Sequence, residues 1–447
     1  MSKTIQHIKT IIISLLSVLM LFSCQPDWTG GLEPDLNYAN SSFPDRLANE
    51  ETRRVLLLYS AGFNSLSSYL KKDIEDLQKG WLPSDRRTEN VVLVYSHFPA
   101  SGGGYKTPTS PTLVRLYRDR NSEIQADTLV VYPEGTISSS AKQLNKVLTY
   151  VKDNFKAKSY GMLFSSHATG YLPAGYYQNS LNAYKTTTWK AMGYQELTGV
   201  PYVEPEYDPS LPMVKSIGQD QVGSVGSYTS YEIELTDFVK AIPMELDYIM
   251  FDTCLMGGIE VAYELKSKVH RVGFSQTEVL AEGFCYETLV SHLLQGSEAD
   301  PQSVCEDYFK QYEIQSGVYR SATISLIDCS KLGSLAQTCK KLFSDYSSQI
   351  KSLNYKSVQR FYRSDKHWFY DLESILLNAG ITKEEQNELY AALDECVIYK
   401  AHTPKFMEEF SIHTYSGFSM YLPSHGSDNL DSFYKTLKWN KDTGLVN

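Results

Sequence analysis

Short apolar runs, most of them followed by an amphipathic stretch, fill the first two thirds of this chain and restrict what it can become. They are Arg54–Tyr59, Val91–Tyr95, Thr128–Tyr132, Tyr160–Ser165, Asp247–Phe251 and Arg271–Phe274. Strands so poor in polar alternation are covered on both faces. The intervening stretches carry helical periodicity. Ser65–Gln78 sets Leu66, Tyr69, Leu70, Ile74 and Leu77 on one face, and Ser138–Phe155 does the same with Leu144, Val147, Leu148 and Val151. Gly257–Ser267 reads as a further helix. The pattern predicts an α/β fold, a mainly parallel sheet with helices on both faces.

The residues from Tyr171 to Met244 break the pattern with Pro173, Pro201, Pro205, Pro209 and Pro212. They read as a long insertion between two core strands, a kind of segment that tends to carry function. Beyond residue 300 the chain turns helical through Val304–Tyr312, Leu332–Tyr346 and Lys383–Asp394, and Gly417–Pro423 reads as a late strand. The predicted organisation is a core over 51–300 with its insertion at about 171–245. A mostly helical C-terminal subdomain, 301–447, packs on that core.

The N-terminus is a targeting segment. Lys3 and Lys9 precede the apolar run Ile11–Phe22, which is too short to span a bilayer. Leu21-Phe22-Ser23-Cys24 resembles a bacterial lipoprotein signal. That resemblance implies removal of 1–23, a lipid on Cys24, and a tether over 24–50 containing Pro26, Gly30, Gly31, Pro34 and Pro44. The expected location is the cell envelope, at the outer membrane, with the lipid as membrane anchor. An ordinary secretory signal cut near Ser23 is the alternative.

A net charge of −10 argues against nucleic-acid binding, which needs a basic face to displace counterions. The 33 tyrosines suit strand edges, and could also line a sugar or peptide surface. Cys254, Cys285, Cys305, Cys329, Cys339 and Cys396 show no disulfide-scaffold spacing, and no CxxC or Cys/His cluster suggests a metal. In an oxidising compartment some of the last four can pair.

In open α/β sheets ligands sit at the carboxyl ends of strands. The fourth run leads into Ser165-Ser166-His167-Ala168-Thr169-Gly170, and the fifth into Asp252-Thr253-Cys254-Leu255-Met256-Gly257-Gly258. If these strands are neighbours, His167 and Cys254 share a crevice. A thiolate is the nucleophile, and a helix N-terminus after Cys254 would favour the anion. The imidazole would act as base toward the thiol and acid toward a leaving amine. The amides of Ala168 and Cys254 could hold an oxyanion.

These segments resemble the clostripain family of the caspase-like clan of cysteine peptidases. The family's Asp-x-Cys-Leu-Met stretch is Asp252–Met256 here. Val55–Tyr59 through Asn64-Ser65-Leu66, Phe274–Glu278 and Gly417–Pro423 also resemble family segments. The resemblance implies a caspase-like sheet and a cysteine endopeptidase acting on protein or peptide, cutting after Arg or Lys through an acyl-enzyme. It implies that Asp252 helps bind the basic side chain; the other reading of Asp252 is a cap on the following helix. Glu278 and Glu282 would flank the crevice and add negative charge, or else be solvated loop acids. The family's glycine after the histidine is Ala168 here, a residue strained if the position needs positive φ. Relatives can cut themselves in a segment like the insertion, where Lys185, Lys190 and Lys215 are basic sites. Calcium helps some relatives, yet no EF-hand spacing occurs here and no cofactor is expected.

Other signals are weaker. Ser101–Thr107 lacks phosphate-loop spacing. His97 reads as a loop histidine, and His413 and His425 as structural. Two rival readings remain: an inactive surface lipoprotein that binds peptide or glycan, and a peptidase cutting after acidic residues or Asn.

Overall fold

The computed structural model describes residues 52–84, 90–101, 104–177, 187–189, 194–196, 200–201, 211–214, 220–224, 227–363, 367–423 and 425–447. The signal segment 1–23, Cys24, the tether 24–50 and Lys185, Lys190 and Lys215 lie outside the described residues.

Nine strands form one sheet: β1 Thr52–Ala61, β2 Asn90–His97, β3 Thr112–Arg118, β4 Ile124–Val131, β5 Ala157–Ser165, β6 Leu246–Asp252, β7 Val269–Phe274, β8 Thr323–Asp328 and β9 Val397–His402. The spatial order is β9-β8-β7-β6-β5-β1-β2-β3-β4. The five central strands are parallel, and two antiparallel strands close each side. The centre matches the apolar runs, because strands covered on both faces must be apolar throughout. β3, β8 and β9 went unread in the sequence. β3 carries Arg115, whose buried guanidinium stacks on Tyr117, and β9 alternates half-buried and exposed residues as an edge strand does.

Helices α1 Ser67–Lys79, α5 Tyr286–Leu294 and α6 Pro301–Glu313 cover one face. Helices α2 Ala141–Asn154, α3 Leu235–Ala241 and α4 Ile259–Leu265 cover the other. Local chemistry fixes their starts. Ser140 caps α2 by accepting the Gln143 N–H, and Asp300 caps α6 ahead of Pro301 at its first turn. Buried Arg54 ties β1 to the end of α5 by donating to the Leu293 and Leu294 carbonyls, both at 2.9 Å.

The register sets a row of rings across four adjacent strands. Tyr59 pairs with Tyr95 and with Phe164, and Phe164 pairs with Phe251. Tyr59 stacks on Tyr95 at 4.3 Å and on Phe164 at 5.4 Å between centroids, and Phe238 of α3 closes on Phe164 and Phe251. The expectation that tyrosines gather at strand edges fails here. Tyr59, Tyr95, Tyr132, Tyr171, Tyr248, Tyr308, Tyr370, Tyr421 and Tyr434 are all fully buried. Phe238 also shows that the last part of the segment read as an insertion contributes to the core.

The C-terminal helices Leu332–Asp345 and Lys383–Cys396 follow the predicted stretches, and Thr382 and Glu385 build a capping box on the second. The late strand is shorter than predicted. Ser419–Met420 pairs with Tyr370–Asp371 outside the main sheet, and the Ser419 N–H donates to the Gly257 carbonyl at 2.8 Å. The C-terminal tail buries Trp439 against Tyr263 of α4. No described helix is long and apolar enough to cross a membrane.

Candidate active site

β5 and β6 are parallel neighbours, with Ser165 opposite Asp252. His167 and Cys254 each stand two residues beyond that pair, so the two chemical groups leave the sheet side by side. Side chains alternate across a strand. Phe251 therefore joins the aromatic row, while Asp252 turns to the face covered by α5. There Asp252 is fully buried, and its Oδ2 accepts from Ser165 Oγ at 3.0 Å and from the Tyr286 hydroxyl at 2.6 Å. It does not cap a helix, in contrast to one sequence reading, because α4 starts only at Ile259 and Gly258 occupies its N-cap.

The same delay removes the expected helix N-terminus from Cys254. The residues after it turn sharply, with Leu255 at φ 61°, and pair with the loop after β7. Leu255 N–H donates to the Thr277 carbonyl at 2.9 Å and Gly257 N–H to the Ser275 carbonyl at 2.7 Å. A side chain held at positive φ stores strain, a feature that clusters at functional sites. The sulfur instead lies against Val279, accepting its N–H at 3.0 Å and standing 3.6 Å from its carbonyl oxygen. Cys254 is 0% exposed, and the 278–280 segment meets its sulfur through Val279.

His167 is buried, with Nε2 3.2 Å from Ser65 Oγ at the start of the α1 region. Ser166 Oγ anchors its loop on the Ala61 carbonyl at 2.9 Å. Ala168 does not adopt positive φ, so its methyl carries no backbone strain. The glycine this loop requires is Gly170, at φ 65°, where an added Cβ would meet the Leu255 carbonyl oxygen at 2.5 Å. The His and Cys loops are interlocked at that point. A cavity of about 50 Å³ opens beside His167, lined by Ser139, Phe164, Glu232, Phe238 and Phe251 among others; it does not reach Cys254.

The two loop glutamates differ. Glu278 is 1% exposed and accepts two bonds from Arg363, Nε at 2.7 Å and Nη2 at 3.2 Å. It is not a solvated acid. Glu282 is exposed on the turn before α5. Burial foremost pushes the Tyr312 phenol well above its usual range, and its hydroxyl donates to the Gly283 carbonyl beside Glu282 at 2.9 Å. Arg363, Ser65 and Tyr286 were missed from the sequence as site residues. Nothing near Arg363 in the chain marks its role.

His97 is no loop histidine. It is buried at the end of β2, with Nδ1 2.8 Å from Ser138 Oγ and 3.7 Å from Asp220, and its ring lies on Phe63. Gly104–Lys106 is a single 3₁₀ turn. Cys254, Cys285, Cys305, Cys329, Cys339 and Cys396 all carry free thiols, so none of the last four is paired. Among the described residues no three His, Cys, Asp or Glu side chains are grouped to hold a metal ion.

The family model for the clostripain family matches residues 58–208 and 199–445. Among solved structures, the chain is similar to an inactive zymogen C11 protease from Parabacteroides distasonis. Identity is 25%, the TM-score 0.68, and the match covers 88% of this chain and 99% of that one. A secreted C11 cysteine protease from Bacteroides thetaiotaomicron, in complex with an irreversible peptide inhibitor, matches at 21% identity and TM-score 0.67, covering 88% and 98%. The second likeness bears on the fold alone. No curated protein matches the chain.

Proposed function

The chain belongs to the clostripain family of cysteine peptidases, in the caspase-like clan, and we propose that it cleaves peptide bonds with Cys254 as nucleophile and His167 as proton carrier. The observation that supports this reading most is the pairing of β5 with β6, from whose carboxyl ends the two residues emerge.

The steps follow from the groups present. The Cys254 thiolate attacks the carbonyl carbon and a C–S bond forms. The amides of Cys254 and Ala168 would stabilise the oxyanion. As the C–N bond breaks, the His167 imidazolium gives its proton to the leaving amine. Water then attacks the acyl-enzyme, His167 takes a proton from it, and the C–S bond breaks to release the acid and the thiolate.

Specificity for Arg or Lys before the scissile bond would rest on Asp252 and Glu282, with Glu278 as a third acid. The lipid on Cys24, anchoring at the outer membrane, and self-cleavage within the insertion belong to the same reading.

The test is hydrolysis of fluorogenic peptides ending in Arg, Lys, Asp or Asn by the intact chain and by Cys254→Ala. Turnover should be confined to the basic peptides and vanish in the variant. Turnover that survives Cys254→Ala would refute the mechanism; turnover of the acidic or Asn peptides would refute the specificity.

A further inference from the structure

Acylation of Cys254 requires an open sulfur, and here the sulfur is closed. The cover is residues 278–280, and it is held from two sides. On one side Leu280 bridges to Val214, and the Ala281 N–H donates to the Met213 carbonyl at 2.9 Å. On the other side stands the Glu278–Arg363 pair, joined by the two bonds described above. Next to it the Tyr362 hydroxyl is hydrogen-bonded to that of Tyr177, and Trp368 packs on Tyr177 at 6.0 Å between ring centroids. The Tyr177 phenol is pushed well up, by burial first and then by Tyr362 and Glu278, with Cys254 contributing too.

Glu278 adjoins Val279, the residue whose N–H sits on the sulfur. Two forked N–H groups on a buried carboxylate are what an arginine of a bound peptide would offer. We propose that Arg363 is an internal stand-in for a substrate's basic side chain: it fills Glu278 beside the thiol, holds 278–280 over Cys254, and yields to an arginine-bearing ligand that competes for the same carboxylate. The inference rests on the peptidase reading above. The physical reason is the cost of an unpaired buried charge. Without the Arg363 fork Glu278 loses the two bonds that fix it in place, and the 278–280 segment, with the Val279 N–H, is released from the sulfur.

The experiment measures iodoacetamide alkylation of Cys254 in the full chain, resolved by peptide mass mapping, with Cys285 as internal control. Arg363→Ala should speed Cys254 alkylation by about tenfold or more and leave Cys285 unchanged. Arg363→Lys, which keeps the charge but not the fork, should fall between. Argininamide should speed the wild type and not Arg363→Ala. Electrostatics alone predicts the opposite, since removing a cation beside a thiol disfavours the thiolate. Acceleration therefore reports access. Equal or slower alkylation in a folded Arg363→Ala overturns the proposal. Should that variant fail to fold, Glu278→Gln and Arg363→Lys carry the same comparison, and rates equal to wild type in both overturn it. Faster alkylation with no cleavage of any peptide would sink the peptidase reading and leave the latch standing.

Discussion

The two faces of the sheet at its carboxyl rim are built from the same strands and present different chemistry. On the α3 side the ends of β2, β1, β5 and β6 present Tyr95, Tyr59, Phe164 and Phe251, and the acids nearby accept from neutral donors, the Ala174 N–H for Glu234 and the Tyr434 hydroxyl and Tyr421 N–H for Glu260. Burial pushes Glu234, just before α3, and Glu260, on α4, up to about 7. Ser165 and Asp252, next along β5 and β6, present hydroxyl and carboxylate to the α5 side. There Ser165 and Tyr286 donate to Asp252, and a cation, Arg363, pairs with Glu278. A single step along each strand separates a packing surface from a chemical one. The lesson is that rigidity and reactivity need not come from different elements.

The contrast sets the order of expected effects. His167→Ala should lower kcat on basic peptides by about 10³-fold or more while the melting transition stays nearly in place. Substantial residual turnover would remove the imidazole from the mechanism. Phe164→Ala, on the packing face, should cost about 3–5 kcal/mol in urea unfolding; a loss well below that would mean the ring row is not a packed unit. Tyr286→Phe removes the phenol that donates to Asp252 and should cost about 1–3 kcal/mol, with KM for Arg peptides rising more than kcat falls. An unaltered KM would separate Asp252 from substrate binding.

The smallest effect is a slope. In the folded chain Glu260 holds its proton to about pH 7, whereas its ordinary value is 4.5. Between those values the folded state binds more protons than the unfolded one, so the contribution is complete below the lower value and is lost as pH rises through the higher. Glu260→Gln should flatten the fall of melting temperature between pH 4.5 and about 7, the span of the two values. An unchanged slope would assign it to other groups.

Much of this was legible in advance, for reasons that differ by region. The five parallel strands announce themselves because a strand buried on both faces can hold little but apolar residues. β3 and β9 hide because Arg115, Lys400 and His402 interrupt them, and whether such a residue packs inward is decided by tertiary contacts. The placement of His167 and Cys254 beyond two strand ends could be read because each follows its strand directly. The turn after Cys254 could not, since its course depends on Ser275 and Thr277 accepting its amides. Arg363 was invisible for a simpler reason: an arginine's sequence neighbours do not reveal the distant carboxylate that binds it.

The close approach of Gly170 to the Leu255 carbonyl has a mechanical consequence. With no atom to spare between the two turns, any side chain at position 170 would have to push the sulfur-bearing turn away from the imidazole-bearing one. Attempts to retune this catalyst would do well to redesign the surrounding pieces and leave that contact bare.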